Sequence, residues 1–280
     1  MYIFRKVEDI QGRLNAWRKQ GKRVGFVPTL GALHDGHLSL LKQARAQNEI
    51  VVCSIFVNPT QFNEASDLKK YPRTIEADIR VLLNGEVDVL LYPQVEEIYP
   101  PGIDTRVDID LGAVAEVMEA EQRPGHFDGV MQVVKRLLDI VKPDRLYMGQ
   151  KDFQQFTIVQ HMIDYFKMPT ELVVCPIKRE AHGLAMSSRN ERLSADTRAA
   201  ARLIYDTLLS CKGAWGTKSI VELQRQALCA LSVSPFKPEY FEIVDGYTLQ
   251  PIDPEQPSDY VVACTAVWAD NVRLIDNIIF

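Results

Sequence analysis

The chain has 280 residues, 46% of them apolar and 25% charged, the balance of an ordinary soluble globular protein that can bury a core without disulfide or metal staples. At ~150 residues per domain the length predicts about two domains. With 32 Lys and Arg against 37 Asp and Glu, the net charge of −5 argues against a nucleic-acid surface or an anionic-membrane surface, both of which need a basic excess, and leaves small anionic ligands open.

No stretch approaches the ~20 apolar residues of a membrane span, and Met1-Tyr-Ile-Phe-Arg-Lys6 shows no secretory leader. The five cysteines (Cys53, Cys175, Cys211, Cys229, Cys264) are odd in number and form no CxxC pair, which predicts buried, reduced thiols and a cytoplasmic setting.

In chain order, Val24–Pro28 reads as a buried strand, followed by a Gly- and His-rich turn and a helical pattern to about Gln47. Ile50–Val57 is a β-branched strand stopped by Asn58-Pro59. Thr74 is placed to cap a helix ending at Asn84-Gly85, and Val87–Tyr92 is another strand. Helical spacing over Val130–Val141, a strand at Arg145–Met148, a helix over Asp152–Phe166 and a strand at Leu172–Ile177 continue the alternation. Strands separated by helices predict a parallel sheet with right-handed crossovers. Ser194 then caps a long helix to about Ser210, and Ser219–Leu231 is a second. Tyr240–Val244, Tyr260–Trp268 and Val272–Ile279 follow as strands, the last two joined by a tight hairpin at Asp270-Asn271. The fold class is therefore α/β: a Rossmann-like parallel-sheet domain over 1–175, and a smaller α+β C-terminal domain with an antiparallel sheet over 176–280.

Four segments carry chemistry. Pro28-Thr-Leu-Gly-Ala-Leu-His-Asp-Gly-His37 joins a strand to a helix, where parallel sheets bind ligands. Gly31 and Gly36 permit close approach, the helix N-terminus attracts phosphate, and His34 and His37 share a face, where imidazolium groups can stabilise phosphate charge. Solvated turn histidines and a two-ligand metal site remain alternatives. In Ser54–Asn63, Asn58 and Gln61 follow a strand; neutral amides there can orient a carboxylate or simply satisfy the turn. In Met148–Gln155, Gly149, Lys151 and Asp152 suit a phosphate and a ribose or Mg2+, or a plain solvated helix start. In Lys178–Asn190, the Ser-Ser-Arg run can wrap phosphate or serve as a polar linker. His182 reads as a surface residue and His161 as a packed core histidine. There is no Walker-type loop, no GxGxxG and no GxSxG.

Together these segments resemble the pantothenate synthetase (pantoate–β-alanine ligase) family, within the HxGH nucleotidyltransferase superfamily. The resemblance rests on Thr29–His37, Ser54–Phe62, Tyr71-Pro-Arg-Thr74, Arg123-Pro-Gly-His-Phe127, Gly149–Gln155, Met186–Asn190 and Arg273-Leu-Ile-Asp-Asn277, in family order. The family usually has Met at Leu30 and an apolar residue at Lys178; neither change removes a reactive group. The resemblance implies an ATP-dependent ligase that forms pantoyl adenylate and pyrophosphate, then passes the acyl group to β-alanine and releases AMP. It implies ATP contacts from Leu30, Gly31, Ala32, Leu33, His34, Asp35, Gly36, His37, Gly149, Gln150, Lys151, Asp152, Lys178, Met186, Ser187, Ser188 and Arg189. His37, His34 and Lys151 take the catalytic roles in that picture. Gln61 and Gln155 hold pantoate, Gln61 also meets β-alanine, Asn58 and Arg123 are second-line candidates, and Asp78 contacts Mg2+. A homodimer, and a C-terminal domain that closes to exclude water, are implied as well. The alternatives are another HxGH nucleotidyltransferase adenylating a small acid or a phosphate ester, and a non-enzymatic nucleotide-binding regulator.

Overall fold

The computed structural model describes residues 1–61, 68–69, 71–253 and 258–280; Phe62 and Asn63 of the second segment lie outside the described residues. The chain forms two compact units. One comprises Met1–Leu111, Ala120–Gly149 and Gln155–Cys175, and the other Gly112–Glu119, Gln150–Gln154 and Pro176–Phe280.

The first unit is built on a six-stranded parallel sheet, with strands β1 (Tyr2–Phe4), β2 (Val24–Thr29), β3 (Ile50–Ile55), β4 (Val89–Leu91), β5 (Arg145–Gly149) and β6 (Glu171–Cys175). Their order is β1-β4-β3-β2-β5-β6, so the Rossmann-like sheet expected from the sequence is present. Every residue of β3 is buried, as an unbroken β-branched run predicts for a strand covered on both faces. Val27, Val51 and Leu90 from the strands meet Leu41 and Leu82 from the helices Asp35–Gln47 and Ile75–Asn84. The chain reverses its direction of travel across the sheet between β2 and β5. That is the switch point at whose carboxyl edge ligands bind in open α/β sheets.

Some boundaries differ from expectation. β1 and the helix Val7–Arg18 precede the first element expected from the sequence; the helix buries Ile10, Leu14 and Trp17 at helical spacing, and β1 is only three residues long and largely exposed. The helix expected from Val130 starts at His126, behind Gly125 in the left-handed region at φ 77°. Thr74 sits at the N-cap of its helix, but its hydroxyl makes no cap bond; it turns to Asp78 instead. His161 is exposed rather than packed, because the buried stripe of its helix runs through Ile158, Val159, Met162 and Ile163.

The second unit carries β7 (Lys237–Asp245), β8 (Val261–Ala269) and β9 (Val272–Ile279) as an antiparallel sheet in that order. β7 begins three residues before its expected start, and its register shifts between Pro238 and Tyr240, where proline interrupts the ladder. Asp270 and Asn271 both have positive φ (48° and 60°), the signature of a type I′ hairpin. Ile204 and Leu208 of the helix Arg202–Gly213, and Leu223 and Leu231 of the helix Ile220–Leu231, pack with Phe241, Val267 and Leu274 of the sheet. The single long helix expected after Ser194 is two, Ala195–Ala200 and Arg202–Gly213, with Ser194 Oγ accepting from Thr197 N–H at the first. Gly112–Glu119 joins this unit through side chains. Arg273 donates to Glu119 at 2.6 Å, and Gln154 Nε2 donates to the carbonyls of Val114 and Val117.

Four of the five cysteines are buried as expected; Cys229 is exposed, on the outer side of its helix. Burial pushes the Cys53 and Cys175 thiols up to about 12 and Cys211 to about 11, which leaves these three as inert thiols. Among the described residues, no helix is long and apolar enough to cross a membrane.

Candidate active site

The loop after β2 is shaped from inside. Thr29 Oγ1 donates to the Ser54 carbonyl at 2.7 Å and accepts from Gly31 N–H at 3.2 Å. Gly31 takes φ +85°, and a Cβ there would meet Asp78 Oδ2 and Ile55 Cγ2, each at 3.1 Å. Asp78, 1% exposed in the first turn of its helix, holds the loop from below. Its Oδ2 accepts from Ala32 N–H at 3.1 Å, and its Oδ1 accepts from Leu33 N–H at 2.8 Å and from Thr74 Oγ1 at 3.2 Å. Both oxygens of Asp78, expected from the resemblance to contact Mg2+, are thus engaged with Ala32, Leu33 and Thr74. Nor do the described residues hold a group of three His, Cys, Asp or Glu that could bind a metal.

His34 and His37 close the loop into the helix Asp35–Gln47. His34 Nδ1 accepts from Gly36 N–H at 3.1 Å, and His37 Nδ1 accepts from His34 N–H at 3.3 Å, a reciprocal cap made by two imidazoles. The ring centroids lie 4.2 Å apart. In both rings Nδ1 is the nitrogen engaged with the start of the helix.

Asn58 is the organiser of the second segment. It is fully buried, its Nδ2 donates to Gly129 O at 3.1 Å and to Gln61 Oε1 at 3.3 Å, and its Oδ1 accepts from Tyr99 OH at 2.8 Å. Gln61 is half-buried in the turn Pro59–Gln61; Asn58 fixes its amide oxygen as an acceptor, so the NH2 side is the one able to meet a carboxylate. His126 Nδ1 donates to the Gln61 carbonyl at 2.9 Å. The helix His126–Val141 approaches this turn so closely that a Cβ on Gly129 would collide with the Thr60 carbonyl. Gln155 stands half-buried in the first turn of Phe153–Tyr165, and Arg123 is half-buried, its carbonyl accepting from His126 N–H.

In the second unit, Lys151 Nζ lies 3.6 Å from Asp152 Oδ1, its side chain 18% exposed. Asn277 of β9 bonds the backbone of Gln150 and Lys151 and the side chain of Gln150. Lys178 to Arg189 folds as a small hairpin, with Arg179 bridged to Ala185 and Met186 N–H donating to Lys178 O at 2.9 Å. The lysine at 178 is thus tied in through its backbone, which a change of side chain leaves intact. Ser187 Oγ accepts from Arg189 N–H at 3.3 Å and caps the turn Ser188–Arg192. Arg179 pairs with Asp276 at 2.6 Å and stacks over Tyr205 at 3.7 Å. His182, expected at the surface, is half-buried beside Glu180.

Sequence reading missed Asp78's hold on the loop, the His126 and Gly129 support of Gln61, and Asn277's hold on Lys151. Each joins residues far apart in the chain, and only the appearance of Arg123–Phe127 and Arg273–Asn277 among the resembling blocks pointed to any of them.

A parallel sheet with a helix-capping histidine loop at its switch point and a buried amide behind the next strand, in a chain that also carries an anchored lysine and a Ser-Ser-Arg hairpin, defines an α/β enzyme of the nucleotide-using kind. Residues 2–279 match the family described as pantoate-beta-alanine ligase. The chain is 47% identical to pantothenate synthetase from Bacteroides thetaiotaomicron, over 99% of this chain and 98% of that one. The structure of pantothenate synthetase from Thermus thermophilus superposes with a TM-score of 0.91 at 40% identity, covering 99% of each chain. That of pantoate-beta-alanine ligase from Francisella tularensis, complexed with beta-gamma ATP and beta-alanine, superposes with 0.81 at 35% identity, covering 100% of this chain and 97% of that one. The chain belongs to the pantoate–β-alanine ligase family and is a ligase.

Proposed function

We propose that the chain condenses pantoate with β-alanine in two steps at the expense of ATP. A pantoate carboxylate oxygen attacks the α-phosphorus as the bond to pyrophosphate breaks. The β-alanine amine then attacks the acyl carbon, loses a proton, and AMP leaves as pantothenate forms. The observation that carries this reading is the full-length family match, in which the motif blocks fall on the histidine loop, the Asn58-held amide and the Asn277-held lysine.

The first step brings an anion to a polyanion, so positioned donors and cations must offset the repulsion. His34 and His37 offer their imidazoles to the phosphates, and the loop N-terminal to their helix, its Gly31, Ala32, Leu33, His34 and Gly36 N–H groups already spent on Thr29, Asp78 and the two rings, supplies a fixed backbone against which the nucleotide lies. Lys151 neutralises the α-phosphate as it becomes five-coordinate. Ser187, Ser188 and Arg189 hold the departing pyrophosphate; Gly149, Asp152 and the Lys178 backbone hold adenosine. Gln61 and Gln155 place pantoate, and Gln61 β-alanine. The described residues offer Mg2+ no protein cage, so no step is assigned to it; an ion of this kind arrives with the nucleotide, held by phosphate and water. A cytoplasmic setting accords with the free cysteines, and a homodimer and the closing of residues 176–280 over the adenylate complete the proposal. Closing is checked by solution scattering with and without ATP and pantoate.

The test of the whole is exchange of labelled pyrophosphate into ATP. Exchange that needs pantoate, followed by consumption of the adenylate on adding β-alanine with product of pantothenate mass, is the expected result. Exchange independent of pantoate, or an adenylate inert to β-alanine, points to another nucleotidyltransferase.

A further inference from the structure

Asn277 is 1% exposed on β9, where it pairs with Cys264 of β8. Its Nδ2 donates to Gln150 O at 2.9 Å and to Lys151 O at 3.0 Å, and its Oδ1 accepts from Gln150 Nε2 at 3.0 Å. These two carbonyls belong to the two peptide planes that flank the Lys151 Cα. Holding both planes fixes the φ and ψ of Lys151, and with them the direction in which its side chain leaves the backbone.

The neighbour on β9 adds a second tie. Asp276 Oδ1 accepts from Asn277 N–H at 2.8 Å, while its two oxygens take Arg179 at 2.6 and 2.9 Å. Arg179 begins the hairpin that leads to Ser187–Arg189 and also donates to Gly183 O at 3.1 Å. One dipeptide of the last strand thus anchors both the lysine segment and the Ser-Ser-Arg hairpin.

We propose that Asn277 is a positioning residue for Lys151. It touches no reacting atom in this reading; its two amide N–H donors aim the lysine, and Asp276 keeps Asn277 itself in register. The inference rests on the role given to Lys151 above. An amide suits the task because a carboxylate has no N–H to donate to two carbonyls and a hydrocarbon would leave both unpaired.

The test measures pantoate-dependent pyrophosphate exchange for Asn277→Ala and Asn277→Asp, alone and with Lys151→Ala, alongside melting temperature. Asn277→Asp keeps the volume and an acceptor for Gln150 Nε2 but turns a carboxylate oxygen toward both carbonyls and adds a charge, whereas Asn277→Ala removes the donors without that charge, so the two variants together separate loss of the donors from the added charge. The expected result is a fall in exchange kcat of about 10- to 100-fold, the scale of a displaced catalytic group, with KM for ATP changing by less than about threefold. In the Lys151→Ala background the same change is expected to cost less than about threefold more, because the residue acts through the lysine. Near-normal kcat in Asn277→Asp overturns the proposal. So does an equal fold-loss in both backgrounds, which marks a merely structural role. A Lys151→Ala enzyme with near-normal exchange sinks the lysine reading and this one together, whereas an inactive Lys151→Ala beside an active Asn277→Asp sinks only this one.

Discussion

Two segments leave the carboxyl ends of neighbouring strands, and they are held by opposite means. Thr29–His37, after β2, is held largely from within: Thr29, His34 and His37 bond backbone groups two or three residues away, and one buried carboxylate, Asp78, takes two more N–H groups. Gln150–Gln154, after β5, is held by neutral amides: Asn277 reaches it from 126 residues on, and Gln154 reaches back 40 residues to Val114. A carboxylate only accepts, so Asp78 can fix a loop through its N–H groups; an amide both donates and accepts, so Asn277 can hold two carbonyls and the Gln150 side chain at once, without adding to the charge that Asp152 already sets 3.6 Å from Lys151.

The largest expected effects test whether both segments serve one step. Lys151→Ala and His37→Ala should each cut pantoate-dependent pyrophosphate exchange by ~100-fold, the loss of one positioned charge-stabilising group. Near-normal exchange in either removes its segment from the comparison. His37→Gln separates the two duties of that histidine. A Gln at the third helical position can accept the His34 N–H, so melting temperature should stay near normal while exchange remains as low as in the alanine variant.

Next is the carboxylate cradle. Asp78→Asn turns an NH2 group toward backbone donors, so a loss of about 1–3 kcal/mol in chemical denaturation is expected, with at least about a tenfold fall in exchange. An unchanged variant would mean that the loop holds itself. Gln155→Ala should raise KM for pantoate about tenfold while leaving ATP affinity near normal, the scale of losing one or two hydrogen bonds; isothermal titration of each ligand checks it.

The smallest effect concerns the hairpin support. Burial raises the Glu180 carboxyl, but bonds from Arg198 and Asn190 and the Arg198 charge outweigh it, and the net shift is downward. A carboxylate with a lowered folded pKa stabilises above its ordinary value of 4.5 and loses that contribution as pH falls through the folded value. Wild type should therefore exceed Glu180→Gln in stability at pH 7, with the gap closing below about pH 4.5 in urea titrations.

What was legible in the sequence follows the same division. The strand runs Val24–Pro28 and Ile50–Val57, the Ser194 cap and the Asp270-Asn271 hairpin are local, written in residues close to one another, and they stand in the structure, the second strand ending at Ile55. The parallel sheet and its antiparallel companion followed from their alternation. The three-residue β1 was too short to show a period. Asp78 could not be read because its partners, Ala32 and Leu33, lie 46 and 45 residues away, and an acid in a first helical turn has an adequate local explanation in the helix dipole. The histidines were legible as a pair but not as a cap: three-residue spacing says that two rings share a face, and only the backbone geometry says which ring nitrogen meets the start of the helix.

Vectorial synthesis gives the Asn277 contact a temporal side. The ribosome emits Lys151 126 residues before Asn277. At 5–20 residues per second, that interval is on the order of 10 s, during which β2, β3, β4 and β5 are already available to pair. The strands of the parallel sheet and the histidine loop all leave the ribosome before β9, so the hold on the Lys151 backbone is the last of these contacts to form, when β9 pairs with β8.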